Sequence, residues 1–169
     1  MKIAIDAMGG DRAPYETVKG SILAADSRND INIILIGDEK EILEVLEKTK
    51  LTLPPNVDIL HTDSYIAMQD DPMSVVKEKS DSSMAIGLKM LKEDEADAFL
   101  SAGNTGALHA GSTLTVRKIK GVRRSAIATI LPFNTPILML DAGANPVVSE
   151  DVCTNGQFSA HTMLSLCLA

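Results

Sequence analysis

Glycines and small polar residues between positions 101 and 106 could bind a phosphate group. The stretch reads Ser-Ala-Gly-Asn-Thr-Gly, follows a short apolar run and precedes residues that favour a helix. A strand that turns into a helix through glycines leaves backbone N–H groups at the positive end of the helix dipole, where an anion is stabilised. The residues assigned to this predicted cradle are Ser101, Gly103, Asn104, Thr105 and Gly106. The alternative is an ordinary turn in which Asn104 or Thr105 caps the helix.

Two other glycine-bearing stretches also follow apolar runs. One of them holds Asp6, Gly9 and Gly10, and the other holds Asp141, Gly143 and Asn145. Parallel strands present their carboxyl ends at one edge of a sheet, so the three loops are expected to meet there. This makes Asp6, Asn104 and Asn145 candidate catalytic residues at a shared site. The alternative is that each loop is a separate tight turn.

Three basic residues are candidates for contact with the anion. Lys77 and Lys79 lie in a serine-rich stretch, residues 72–83, and Arg124 stands just before an apolar run. Lysines in such positions are more often solvated surface charges than ligands. The sequence leaves both interpretations of these three residues open.

Segments typical of strands and helices alternate along the chain. Apolar runs predict strands at residues 3–5, 31–36, 57–60, 98–100, 126–131 and 137–140. Apolar residues recurring at helical spacing, such as Val18, Ile22 and Ala25, predict the helices between most of them. This alternation predicts βαβ units and a mainly parallel sheet, which is an α/β fold. Since no repeat or linker interrupts it, we expect one domain over residues 1–169.

Composition and motif searches exclude several classes of function. The formal net charge is −7 at pH 7, which argues against a nucleic-acid partner or an anionic membrane surface. The two cysteines lack a CxxC spacing, and the three histidines lack a metal-ligand spacing, so we expect a cytoplasmic protein without a bound metal. No G-x-S-x-G or P-loop motif is present, and a dinucleotide site is poorly supported because G-x-G-x-x-G is missing.

The three strand-end motifs together resemble a known family. They read I-A-I-D-A-M-G-G-D-R-A-P at residues 3–14, S-A-G-N-T-G-A at 101–107 and L-D-A-G-A-N at 140–145. This combination is similar to the bacterial phosphate acyltransferases of phospholipid synthesis, the acyl-acyl carrier protein:phosphate acyltransferase family. The resemblance implies transfer of a fatty acyl group from the carrier-protein thioester to inorganic phosphate, without a cofactor. It also implies the α/β/α sandwich of isopropylmalate dehydrogenases and phosphotransacetylases.

The resemblance covers residues 1–145 and implies that the chain is the N-terminal half of a longer protein. Family chains continue into a second half that closes the cleft and supplies a helical hairpin for homodimer formation and contact with the inner face of the membrane. From about residue 146 the tail departs from the family pattern, and Ser125 stands where the family favours proline. Two alternatives therefore stay open: a coenzyme A-dependent short-chain phosphotransacylase, and an inactive half that only binds anions or partners.

Overall fold

A computed structural model of the protein describes residues 1–118, 127–133 and 137–140. Four of the predicted site residues lie outside these ranges: Arg124, Asp141, Gly143 and Asn145. Internal contacts divide the chain into two compact parts, Met1–Val116 and Arg117–Ala169.

The first part alternates strands and helices, as the sequence predicts. Its elements are β1 (Lys2–Asp6), α1 (Tyr15–Ser27), β2 (Asn32–Gly37), α2 (Glu39–Thr49), β3 (Val57–His61), a 3-10 helix (Pro72–Val76), α3 (Ser83–Lys92), β4 (Ala98–Leu100) and α4 (Thr105–Gly111). A π-helical segment, Ser112–Val116, continues α4.

The four strands form one parallel sheet with the order β3-β2-β1-β4. The chain moves outward from β1 through β2 to β3 and then returns to the other side of β1 for β4. A switch point is the place in a parallel sheet where the strand order reverses. A crevice forms there at the carboxyl ends of the two neighbouring strands. In this sheet the switch point lies between β1 and β4.

Helices cover both faces of the sheet. Ile33 and Leu35 of β2 pack in a buried cluster with α1 and α2, whereas Ile34 and Ile36 pack with Met90 of α3. Side chains alternate between the two faces along a strand. A strand that is covered by helices on both faces is therefore apolar at successive positions. The predicted α/β fold, with three layers and a mainly parallel sheet, is confirmed.

Side-chain caps fix where several helices begin. The Asp38 carboxylate accepts from the backbone N–H groups of Lys40 and Glu41, at 2.8 and 3.3 Å, and caps α2. Asp71 and Ser82 likewise cap the 3-10 helix and α3. Pro14 occupies the cap position of α1, and helical structure starts at Tyr15.

The described strands of the second part form a hairpin. Strands β5 (Ala128–Leu131) and β6 (Ile137–Leu140) pair antiparallel with each other. The prediction that the last strand runs parallel within the sheet does not hold for this pair. The connection, residues 132–136, is too short for the crossover that parallel neighbours need.

Gly87 of α3 is predicted to be required for packing against β4. A Cβ at position 87 would overlap the ring of Phe99, whereas nothing lies within 4 Å of a Cβ built at Gly20 of α1. Gly87→Ala should lower the free energy of unfolding by about 1–3 kcal/mol through overpacking. Gly20→Ala, the matched control, should raise it by about 0.5–1 kcal/mol because alanine favours a helix. Urea denaturation of both variants tests this, and equal stabilities would contradict it.

Candidate functional site

The Asp6 carboxylate joins three separate segments at the switch point of the sheet. Asp6 ends β1 and is only 2% exposed. Its Oδ1 accepts from the Ser83 hydroxyl at 2.6 Å and from the Met8 backbone N–H at 3.2 Å, and its Oδ2 accepts from the Ser101 hydroxyl at 2.8 Å. We call these four residues the Asp6 cluster. The cluster therefore ties the ends of β1 and β4 to the start of α3.

Neutral donors stabilise the charge of Asp6. Within residues 1–118, no lysine, arginine or histidine forms an ion pair with this carboxylate. Burying a carboxylate is costly unless hydrogen bonds replace its hydration, and each bond to a charged acceptor contributes about 1.5–3 kcal/mol. The hydroxyls of Ser83 and Ser101 are thus structural requirements of the buried charge.

The hydroxyl of Ser101 donates to Asp6 and accepts from the loop that follows β4. A serine hydroxyl has one proton, and an ionised carboxylate can only accept, so Ser101 donates that proton to Asp6. The same oxygen accepts from the backbone N–H of Gly103 at 3.1 Å. The sequence assigned Ser101 to the phosphate cradle as a possible side-chain donor. The geometry instead gives its side chain the role of fixing the loop.

Glycines let the loops after β1 and β4 pack directly on each other. A Cβ at Gly9 would lie 2.5 Å from Oδ2 of Asp6 and 2.8 Å from the Ser101 hydroxyl. A Cβ at Gly103 would lie 3.2 Å from the Cα of Gly9. Gly10 has a φ of 122°, a backbone conformation that side chains disfavour. The predicted meeting of these two loops is therefore present, whereas the third predicted loop lies outside the described residues.

Asn104 holds a neighbouring loop as well as the start of α4. Its Oδ1 accepts from the Ala107 N–H at 3.0 Å, which is the capping role expected of it. Its Nδ2 lies 3.4, 3.2 and 3.1 Å from the carbonyl oxygens of Ala67, Met68 and Asp70. We call residues 62–71 the strap. Asn104 is only 8% exposed, and its side chain is engaged at both ends, so it positions the backbone of both the strap and α4.

The first turn of α4 presents exposed backbone groups. Thr105 and Gly106 are exposed, and the opening N–H groups of a helix have no partner carbonyl within that helix. Gly106 also packs on the 3-10 helix, since a Cβ there would lie 3.0 Å from Cγ of Pro72.

The two predicted lysines have different surroundings. Lys79 Nζ lies 2.5 Å from Oδ2 of Asp70 and donates to the Tyr65 carbonyl at 3.1 Å, so it anchors the strap. The hydrogen bond from Lys79 lowers the pKa of Asp70, and the N–H of Ala67 adds to that effect. Lys77 is exposed at the end of the 3-10 helix. Lys77 is therefore the more available cation of the two.

Two contributors to this region were missed by sequence reasoning. Ser82 caps α3, whereas the neighbouring Ser83 binds Asp6. The strap is mostly polar in sequence, yet its Ile66 is buried beside Met84. A serine pair before a helix gives no local signal of a distant carboxylate. Both contacts depend on which strands are neighbours.

Neither a metal cluster nor a membrane span is found in the described part of the chain. Over residues 1–118, 127–133 and 137–140, no three His, Cys, Asp or Glu side chains are grouped to hold a metal ion. Over the same ranges, no helix has the length and apolar character needed to cross a membrane.

Comparison with known proteins gives consistent relatives. A family model described as "Fatty acid synthesis protein" matches residues 1–157. The phosphate acyltransferase of Thermoanaerobacter pseudethanolicus is 49% identical over 146 residues, covering 86% of this chain and 42% of the relative. That of Thermoanaerobacterium thermosaccharolyticum is 42% identical over 171 residues, covering 98% and 50%. The chain thus spans about half the length of the curated relatives it matches.

A solved structure has the same fold. The EutD phosphotransacetylase from Staphylococcus aureus matches with a TM-score of 0.62 and 18% identity, covering 90% of this chain and 49% of that one. At this identity the likeness concerns the fold alone, and it agrees with the predicted similarity to phosphotransacetylases.

Ser83→Ala is predicted to destabilise the protein. The change leaves Oδ1 of the buried Asp6 without its hydroxyl donor, so the free energy of unfolding should fall by about 1–3 kcal/mol. Ser27→Ala is the matched control, because Ser27 is exposed and donates only to the Ala24 carbonyl of its own helix. Its effect should stay within about 0.5 kcal/mol. Urea titrations of both variants check this, and a Ser83→Ala protein as stable as the control would refute the role of the cluster.

Acid pH should weaken the strap through Asp70. A carboxyl with a lowered pKa in the folded state adds stability above its ordinary pKa of about 3.9, and that stability is lost as pH falls through the folded value. Below about pH 4, Asp70→Asn should therefore lose less stability with falling pH than the parent. Lys79→Met should remove the same component, and the double variant should add nothing further. Thermal melts between pH 3 and pH 6 measure it, and an Asp70→Asn curve parallel to the parent would contradict it.

Proposed function

Since the chain belongs to the fatty acid synthesis protein family, we propose that it forms part of a phosphate acyltransferase. In the proposed reaction an oxygen of inorganic phosphate attacks the carbonyl carbon of a fatty acyl thioester. A C–O bond forms, the C–S bond breaks, and the thiolate leaves and takes up a proton. The products are an acyl phosphate and a free thiol. We further propose that any longer form of the protein acts as a homodimer at the inner face of the membrane, as the resemblance implies.

The observation that carries this proposal is the meeting of two glycine-rich loops at the switch point of the sheet. The Asp6 cluster holds the loop after β1 against the loop after β4, and both open at the carboxyl ends of their strands. Ligands of open α/β sheets bind at such crevices. Acyl transfer to phosphate needs an oriented phosphate nucleophile and donors for the oxyanion that develops at the acyl carbonyl.

We propose separate roles for the residues of this crevice. The opening N–H groups of α4, at Thr105 and Gly106, would receive the phosphate oxygens. Asp6, Ser101 and Asn104 would act as positioning residues, since their side chains bind protein groups. Lys77 would contribute charge from the edge. Gly10 would line the crevice beside them. The sequence-based candidates Arg124, Asp141, Gly143 and Asn145 lie outside the described residues, and their role stays a prediction.

We propose an acyl carrier protein thioester as the acyl donor. The chain has a net charge of −7, so its overall charge would not attract a polyanionic donor. Recognition of the donor would therefore depend on local contacts. To test this, the purified chain is incubated with phosphate and either the carrier-protein thioester or acyl-coenzyme A, and acyl phosphate is measured. Product from the carrier protein supports the proposal, and product from coenzyme A alone supports a phosphotransacylase. A chain that forms no product yet binds phosphate would be a binding half that lacks the rest of its cleft.

Gly103→Ala is predicted to weaken phosphate binding. Its Cβ would meet the Cα of Gly9 at 3.2 Å and push the two loops apart, so the affinity should fall about tenfold, equivalent to about 1.4 kcal/mol. Calorimetric titration with inorganic phosphate measures the affinity, and Gly20→Ala on α1 serves as the control with unchanged binding. Unaltered phosphate affinity in a folded Gly103→Ala protein would remove this loop from the site.

A further inference from the structure

The strap carries large apolar side chains on a backbone that is firmly held. Tyr65, Met68 and Met73, the last just beyond the strap, are 47%, 53% and 37% exposed. Exposed apolar residues are common singly, but three within nine positions next to a candidate site call for an explanation.

The exposure of these side chains is combined with an ordered backbone. Ile66 is only 3% exposed and packs in a cluster with Met84, Leu88 and Ala107. It thereby anchors the strap to α3 and α4. The carbonyl of Ser64 accepts from the N–H of Ser83 at 3.0 Å. Asn104 and Lys79 add the contacts described above. The strap therefore displays its apolar side chains without the cost of ordering a loop on binding.

The two methionines belong to segments that touch the proposed phosphate cradle. The carbonyl of Met68 accepts from Nδ2 of Asn104 at 3.2 Å, and Asn104 is the residue that caps α4. Met73 follows Pro72, whose ring borders Gly106 in the first turn of α4. In an acyl phosphate the acyl chain starts one bond from the phosphate. An apolar surface for that chain must consequently adjoin the cradle.

The lysine that contacts the strap is already paired with a carboxylate. The ammonium group of Lys79 is paired with Asp70, and its strongest contacts lie within the strap. An open cleft of about 570 Å³ lies at the beginning of the strap, but its lining is polar apart from Tyr65. The exposed side chains of Met68 and Met73, in contrast, carry no charged group.

We propose that Met68 and Met73 form the surface that receives the first part of the fatty acyl chain. Methionine side chains are unbranched and polarisable, so they adapt to alkyl chains of different length and conformation. This inference rests on the proposed function, because the occupant is the acyl group that a phosphate acyltransferase would handle.

The test compares two phosphate probes on the full 169-residue chain. Methyl phosphate probes the cradle alone, whereas dodecyl phosphate, used below its micelle concentration, probes the cradle and the apolar surface. The parent should bind dodecyl phosphate at least about tenfold more tightly than methyl phosphate, since burial of a few methylenes suffices for that ratio. In the double variant Met68→Gln/Met73→Gln the ratio should fall to about twofold or less. The control Leu23→Gln/Leu43→Gln changes two side chains of similar exposure on α1 and α2 and should keep the parent ratio.

Each outcome of the titration decides a separate point. A parent that binds both probes equally overturns the apolar surface and leaves the proposed function standing. A high ratio that persists in the Met68→Gln/Met73→Gln variant, with melting temperatures unchanged, overturns the assignment to these methionines. A parent that binds neither probe removes the cradle, and with it both the proposed function and this inference.

Discussion

The carboxylate of Asp6 is the constraint on which the architecture of the site depends. A charge that is 2% exposed must be satisfied by hydrogen bonds, and its donors come from Met8, Ser83 and Ser101. These donors belong to the loop after β1, the start of α3 and the loop after β4. Because an unsatisfied buried charge would cost several kcal/mol, the three segments are held together at one point. The geometry of the crevice therefore follows from the solvation of a single side chain.

The rest of the first part keeps polar and apolar functions spatially separate. The core between the sheet and its helices consists of apolar residues such as Ile22, Leu35 and Ile36, which contribute stability through burial. The carboxyl edge of the sheet is held by polar contacts instead, through Asp6, Asn104 and the Lys79–Asp70 pair. Such directional contacts hold glycine-rich loops in one conformation, which apolar packing of small residues cannot achieve. This division suits a site that must be rigid while it remains open to a ligand.

The elements of the fold were largely predictable because their signals are local. Alternating apolar runs placed the four parallel strands, and the caps at Asp38, Asp71 and Asn104 follow from the hydrogen-bonding capacity of short polar side chains. The antiparallel pairing of β5 with β6 was not predicted, since an apolar run does not indicate whether a strand runs parallel or antiparallel to its neighbour. The short connection between these two strands was the available sign of an antiparallel hairpin.

By itself, the sequence determined the α/β class, the family resemblance and the two glycine loops near Asp6 and Asn104. These features depend on residue types at fixed spacing, which can be seen in the chain. The tertiary structure decided that β1 and β4 are neighbours, and this places Ser83 and Ser101 on one carboxylate. It also decided that the side chains of Ser101 and Asn104 bind protein groups and that the strap lies against α4. A hydroxyl or an amide can serve a ligand or the protein equally well, and only its neighbours in space select between them.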